Sequence, residues 1–449
     1  MAGEWKTSSL DELLEDVLDR RGVTPLKLGS DFTNAGHRVI SAKLMKNGCI
    51  DLTADEARFV DTVTYKRWMK TPLHPDDVIL TSEAPLGEVA YIRTELDWCL
   101  GQRLFGLRTK KNRLDGRFLY YALQSESVRH DLLSRATGTV AQGIRQTELL
   151  KVRLPEPPIG EQRAIAHILG TLDDKIELNR RMNEALEAIA RAMFKSWFVD
   201  FDPVRAKMNG EPHASICQRL GLTPDLLALF PDRLVDSELG EIPEGWEVKE
   251  LGDIVEVVDC LHAKKPERCN SGFPFLQLNN IRDDGLIDMK DTYLISDTDY
   301  RKWVSRMEAR EGDCVITNVG RVGAVAQIPP KLNAALGRNM TGIRCKPEFA
   351  YPTFLIECLL SDAMREEINR KMDTGTILNA LNVRNIPKLR LVLASHQVLS
   401  RFEMIGRPLR QDMELNLAQA QTLSSLRDTL LPKLLSGDLR VSCSEEVFA

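Results

Sequence analysis

At 449 residues the chain is too long for one ordinary domain and has the length of about three. Its 43% hydrophobic and 28% charged residues are those of a folded protein, and no run approaches the roughly 18 uncharged apolar residues that span a bilayer. A formal net charge of −5 excludes a protein that holds nucleic acid by overall basicity, so any DNA contact needs local patches or a more basic partner.

The opening stretch, before Thr24, is acidic, amphipathic and helix-like. It lacks the apolar centre of a signal peptide, and a cytoplasmic location is expected. Short apolar runs at 77–81 and 89–92, bounded by Gly and Pro, predict strands. Spacing of three and four predicts a helix over 117–133. Between residues 161 and 198, Leu169, Leu172, Ile176, Leu186, Ala190, Met193 and Trp197 form a long helical seam of coiled-coil type. Residues 201–244 carry Asp202-Pro203, Thr223-Pro224, Phe230-Pro231 and Ile242-Pro243, which predicts an ordered connector of turns and short helices.

The same order then repeats. Strands are predicted at 313–317 and 325–328, a helix at 352–371, and a second long seam between 396 and 435 through Leu409, Met413, Ala420, Leu423, Leu430 and Leu434. Pro408 is expected to interrupt this last helix near its start. Asp77-Val-Ile-Leu-Thr-Ser82 matches Asp313-Cys-Val-Ile-Thr-Asn318, and Gly87-Glu-Val-Ala-Tyr-Ile92 matches Gly323-Ala-Val-Ala-Gln-Ile328 at the same offset (323 − 87 = 236). Leu100-Gly-Gln-Arg103 pairs with Leu336-Gly-Arg-Asn339. Thr137-Gly-Thr139 pairs with Thr374-Gly-Thr376, and Lys151-Val-Arg-Leu154 with Lys388-Leu-Arg-Leu391, at 237. Trp5 and Leu10 correspond to Trp246 and Leu251. A repeat this long means two copies of one α+β domain, each followed by a long helix. Asn179 and Asn416 stand at matching seam positions (416 − 179 = 237), where they either fix register or simply face solvent. Nine cysteines include no CxxC pair; Cys260 and Cys269, with His262 between them, are the closest, and reduced thiols without a metal are expected.

Several stretches are recognisable. Arg191-Ala-Met-Phe-Lys-Ser-Trp-Phe-Val-Asp-Phe-Asp-Pro-Val-Arg-Ala-Lys-Met208 resembles the central region shared by the specificity subunits of type I restriction–modification systems, and Leu239-Gly-Glu-Ile-Pro-Glu-Gly-Trp246 resembles the opening of their second recognition domain. Leu426-Arg-Asp-Thr-Leu-Leu-Pro-Lys-Leu-Leu-Ser-Gly-Asp-Leu439, followed by Arg440-Val441, looks like the end of the family's terminal helix, and Glu161-Gln-Arg-Ala-Ile-Ala-His-Ile-Leu169 like the start of its first. The second helix departs in opening with His396-Gln397. The resemblance implies two tandem α+β target-recognition domains, 1–158 and 241–394, separated by two long antiparallel coiled-coil helices, 159–200 and 395–441, with a connector at 201–240. It implies that each domain reads one half of a bipartite site on double-stranded DNA. Helices of some 35 residues, roughly 50 Å long, would set the unread spacer between the half-sites. The partners it implies are two modification subunits, which carry S-adenosylmethionine, and restriction subunits that translocate and cleave; the chain itself would need no cofactor and contact no membrane.

Arg suits guanine, and Asn or Gln suits adenine. On that chemistry the candidate DNA-contacting residues of the first domain are Thr81, Ser82, Arg103, Thr137, Gly138, Thr139 and Gln142. Those of the second are Thr317, Asn318, Arg321, Arg338, Asn339, Thr374, Gly375, Thr376 and Asn379. Lys110, Lys111, Arg113, Lys264 and Lys265 are candidates for phosphate contact. Ordinary solvated surface is the competing account of each.

Catalytic readings fare worse. Asp202-Pro203-Val204 lacks the second proline of an adenine-methylating motif, and no phosphate-binding loop of the G-x-x-x-x-G-K-[ST] type is present. Pro231-Asp232 with Glu247-Val-Lys249 fits a loose metal-nuclease pattern, but one so short arises by chance. A non-catalytic recognition subunit is expected, with a pure assembly scaffold as the alternative.

Overall fold

In the computed structural model, which describes residues 5–46, 48–51, 57–138, 142–372 and 379–441, both copies of the repeat build the same four-stranded antiparallel sheet. In the first copy the order is Leu14–Asp19, Leu104–Thr109, Val78–Thr81, Val89–Tyr91. In the second it is Val255–Asp259, Met340–Cys345, Cys314–Thr317, Val325–Gln327. The registers repeat as well: Leu104 stands opposite Thr81, and Met340 opposite Thr317. Val78–Thr81 and Cys314–Thr317 are buried along their whole length. That is why these runs are continuously apolar rather than alternating. Both long central strands keep a glycine at one matching position. A Cβ on Gly106 would lie 3.2 Å from the Leu18 Cβ, and one on Gly342 only 2.3 Å from the Met307 sulfur.

An ion pair on a buried carboxylate recurs in the two copies. Arg108 Nε and Nη2 donate to the Asp77 carboxylate at 2.9 and 2.7 Å, and Arg344 donates to Asp313 at 2.8 and 2.6 Å. The same carboxylates accept the backbone N–H of His74 and of Arg310, both at 2.8 Å. The fork geometry, with further donors on the acid, holds each arginine's pKa above its usual value, chiefly through the carboxylate hydrogen bond.

Three expectations are corrected. The acidic opening is not a helix: Lys6–Ser9 pairs with Arg153–Glu156, Leu10–Leu13 makes one helical turn, and Leu14–Asp19 joins the sheet. Sheet pairing here overrides local helix propensity. The helices expected over 117–133 and 352–371 are each divided, into Gly116–Ala122 and Glu126–Ser134, and into Pro352–Leu360 and Asp362–Lys371. At the second break the Ser361 hydroxyl accepts the Met364 N–H at 3.2 Å and starts a new helix. Pro408 does not interrupt the second long helix, which runs unbroken over His396–Ser436. Pro408 and Met404 are both exposed, so the helix face where the ring removes a hydrogen bond is open to water.

The described residues divide into two compact units, Met1–Ile176 with Thr422–Ala449, and Glu177–Gln421. The long helices, Ile159–Phe198 and His396–Ser436, each contribute to both. Within the first unit their paired segments are antiparallel, with Asp173 bonded to Arg427 at 2.8 Å and Glu161 to Arg440 at 3.2 Å. Within the second they are antiparallel again. There the Asn179 Nδ2 donates to the Gln419 side chain at 2.8 Å, Asn183 to the Met413 carbonyl at 2.9 Å, and Asn416 to Asn183 at 3.0 Å. Asn179 is thus a seam residue and not a solvated one.

The connector is ordered, with helices Asp202–Met208, His213–Leu220 and Pro224–Ala228 followed by the hairpin Leu234–Ser237 and Gly240–Pro243. Phe201, Val204, Ile216, Leu227 and Phe230 bury into the second unit's core beside Trp197, Phe198 and Trp246. Among the described residues no helix is long and apolar enough to cross a membrane.

Candidate nucleic-acid interface

Loops from three parts of each repeat meet at one end of its sheet. In the first, the Ser82 N–H donates to the Arg103 carbonyl at 2.8 Å, and the Ile144 N–H to the Ser82 carbonyl at 2.9 Å. Thr137 and Gly143 exchange two backbone hydrogen bonds, at 2.8 and 2.9 Å. In the second, the Asn318 N–H donates to Asn339 at 2.8 Å and the Leu381 N–H to Asn318 at 2.9 Å. Arg103 and Asn339 both take the left-handed conformation, at φ 66° and 65°. Such a turn re-aims the chain at the strand's start and costs least for short polar residues such as Asn.

The candidates separate by burial. Thr81 and Thr317 are fully buried, and their hydroxyls accept the N–H of Glu88 at 2.8 Å and of Ala324 at 3.0 Å; the Thr317 hydroxyl also donates to the Arg321 carbonyl. These side chains hold the turn. Ser82 is buried, and its hydroxyl has no partner among the described residues. Asn318 is buried too; its amide donates to the Leu381 carbonyl at 3.2 Å and its oxygen accepts from Thr341 at 2.9 Å. Exposed at the loop ends are Arg103, Thr137, Gly138 and Gln142 in the first copy and Arg338 and Asn379 in the second, with Asn339 half-buried. No partner of Arg338 is found among the described residues. Thr139, Thr374, Gly375 and Thr376 lie outside the described residues.

Other candidates sit elsewhere. Arg321 donates to the Ile281 carbonyl at 2.6 Å and pairs with Asp283. Lys110 donates to the Glu12 carbonyl at 2.9 Å, Arg113 binds Glu156 at 2.9 Å, and Lys111 is exposed, 3.9 Å from Asp76. They follow the far end of Leu104–Thr109, about 20 Å along the strand from Arg103. The structure does not bring those three to the loop ends. Lys264 and Lys265 are exposed in the second copy; Lys265 donates to Gln277 at 2.7 Å and lies 4.1 Å from the Tyr293 ring centre.

Several residues at these ends were missed. Arg21 stacks 4.1 Å over the Phe105 ring, donates to the Ile144 carbonyl at 3.4 Å and clamps Asp19. Burial works to raise the Asp19 pKa, but hydrogen bonds from the side chain and backbone of Arg21 outweigh it and hold it below its usual value. Gln102 closes on the neighbouring loop, accepting from the Gly22 N–H at 2.8 Å and donating to the Val23 carbonyl at 2.7 Å. Glu83 lies beside Arg103, 3.0 Å away. The aligned Leu-Gly-x-x motif already contained Gln102 beside Arg338, and one residue beyond the strand repeat Glu83 stands beside Val319.

Asp259, Cys260 and His262 bring ligand-capable atoms within 4.8 Å of one another. A 2.7 Å hydrogen bond between His262 and Asp259 accounts for much of that grouping, and burial pushes the Cys260 thiol up, against the thiolate a metal requires. In the nuclease pattern, Glu247 pairs with Lys249 at 2.8 Å at the start of a strand, and Asp232 is an exposed connector residue. What the loop ends present is hydrogen-bonding capacity of mixed kind, suited to base edges and phosphates.

Known proteins share this plan. Residues 2–188 match the family model described as type I restriction modification DNA specificity domain. The chain is 28% identical over 369 residues to the type I restriction enzyme MjaIX specificity subunit of Methanocaldococcus jannaschii, covering 81% of this chain and 78% of that one. It is 25% identical over 417 residues to the HindI specificity subunit of Haemophilus influenzae, covering 82% and 88%. Its fold is similar to that in the crystal structure of the type I restriction–modification S subunit from M. genitalium, with a TM-score of 0.60, 18% identity and 97% of each chain covered.

Proposed function

We propose, from its similarity to specificity subunits of type I restriction–modification systems, that this chain is such a subunit and that each α+β domain reads one part of a bipartite, asymmetric DNA site. The observation that carries the division of labour is a repeated scaffold whose equivalent turn carries different side chains in the two copies. Strand order, register and the Asp–Arg pair recur in both copies, whereas Gln102 and Arg103 give way to Arg338 and Asn339 at the equivalent turn. One frame thus offers two different sets of donors and acceptors to base edges. The exposed side chains at the loop ends make the base contacts, and Lys264 and Lys265 contact phosphate.

Recognition is this subunit's share of the work, and a scaffold without readout is not favoured. Methyl transfer and cleavage belong to the modification and restriction subunits with which it assembles. Two modification subunits dock on the long helices. Leu178, Met182 and Ile189, exposed at helical spacing on one face of the first, support this. With a net charge of −5, the partners supply much of the phosphate contact.

Exchanging residues 1–158 for the equivalent segment of another specificity subunit tests the proposal. Half of the methylated sequence is expected to change while the other half stays. An unchanged sequence, from an assembled complex, contradicts it.

A further inference from the structure

A carboxylate standing among DNA-reading loops requires an explanation, because phosphates repel it. Glu83 is such a group. Its side chain is 42% exposed and lies 3.0 Å from the guanidinium of Arg103, itself 53% exposed. So open an ion pair adds little to stability. Nor does the scaffold depend on it, since the second copy has Val319 and Asn339 at the matching positions and builds the same turn.

The backbone, however, is fitted to Glu83. Its neighbour Ser82 is bonded on both sides, to Arg103 and Ile144, and Glu83 itself bridges to Gly143. A Cβ on Gly143 would stand 3.2 Å from the Glu83 Cβ and 3.4 Å from its Oε2. The second copy bridges Val319 to Ala380 at the same place, so it tolerates a Cβ where the first does not offer one. Glycine is thus found opposite the carboxylate and not opposite its apolar counterpart.

We infer that Glu83 is a specificity-determining residue of the first domain, accepting a hydrogen bond from the exocyclic amino group of a cytosine, with Arg103 positioning it. A carboxylate is an acceptor only, which matches cytosine N4 in the major groove and mismatches the acceptor edge of guanine. Arg103 neutralises the acid as DNA approaches and fixes its direction. The second domain, with Val319, lacks this acceptor and reads a different base there. The inference rests on the recognition reading above and names one contact within it.

The test uses the full chain with its cognate modification subunits in cells, reading the methylated fraction at sites that differ at each base. Glu83→Ala is expected to relax one position of one half-site by roughly 5- to 150-fold in discrimination, leaving the other half-site unchanged. Glu83→Gln, which adds donors, is expected to shift that position toward adenine. An unchanged motif in both variants, or an equal fall at every position, overturns the inference. Absence of chain-dependent methylation with the wild-type chain overturns the recognition reading and this contact with it.

Discussion

Asp77 illustrates what can and cannot be read at a single residue. The repeat marked it beside Asp313, but its partner Arg108 lies on another strand, and no local pattern joins the two. Only the pairing of Val78–Thr81 with Leu104–Thr109 makes them neighbours. The Asp77 side chain is 2% exposed and Arg108 15%, so removing the acid strands a guanidinium with little access to water. Asp77→Ala is expected to lower stability by about 3 kcal/mol in urea unfolding. Asp313→Ala is expected to lower it less, because Arg344 is 34% exposed and can rehydrate. Equal losses would mean that solvent access does not govern this pair. Burial was the second thing hidden in the sequence: Thr81, Thr317 and Asn318 have the polar chemistry of DNA contacts, yet their atoms complete the turns that present neighbouring side chains.

At the scale of elements, periodicity served well where one face decides the structure. The two long seams were legible because apolar residues recur at three and four over some ten turns. The opening strand was not, since Leu10–Leu13 and Leu14–Asp19 share an amphipathic pattern that a helix could also satisfy. Its counterpart Val255–Asp259, rich in valine, was the available clue. The seam asparagines were visible, but not their partners. Asn183 uses both ends of its amide, donating to Met413 and accepting from Asn416, while the Asn179 Oδ1 is buried without a partner among the described residues. Asn183→Ala is expected to lower the melting temperature, since about 1 kcal/mol of stability is lost with the hydrogen bonds. Asn179→Leu is expected to raise it, with apolar burial replacing an incompletely satisfied amide. Opposite signs in thermal melts check this, and a loss in both variants would contradict it.

For the whole molecule, the constant offset near 236 residues was the most informative feature, and it reported the duplication of strand order and register as well as of sequence. What it left out was the meeting of loops. Residues near 20, 83, 103 and 143 come together only once the sheet has formed, so Arg21, Glu83 and Gln102 escaped notice. Lys110, Lys111 and Arg113 were grouped with that set on charge alone. The change from Gln102 and Arg103 to Arg338 and Asn339 at one turn of a repeated frame is the physical basis proposed for two half-sites. The direct measurement is methylation-sensitive sequencing of DNA from cells with the cognate modification subunits, with and without this chain. The expected result is a chain-dependent, asymmetric, two-part motif with a fixed unread spacer. An assembled complex whose methylation does not depend on the chain would contradict the account.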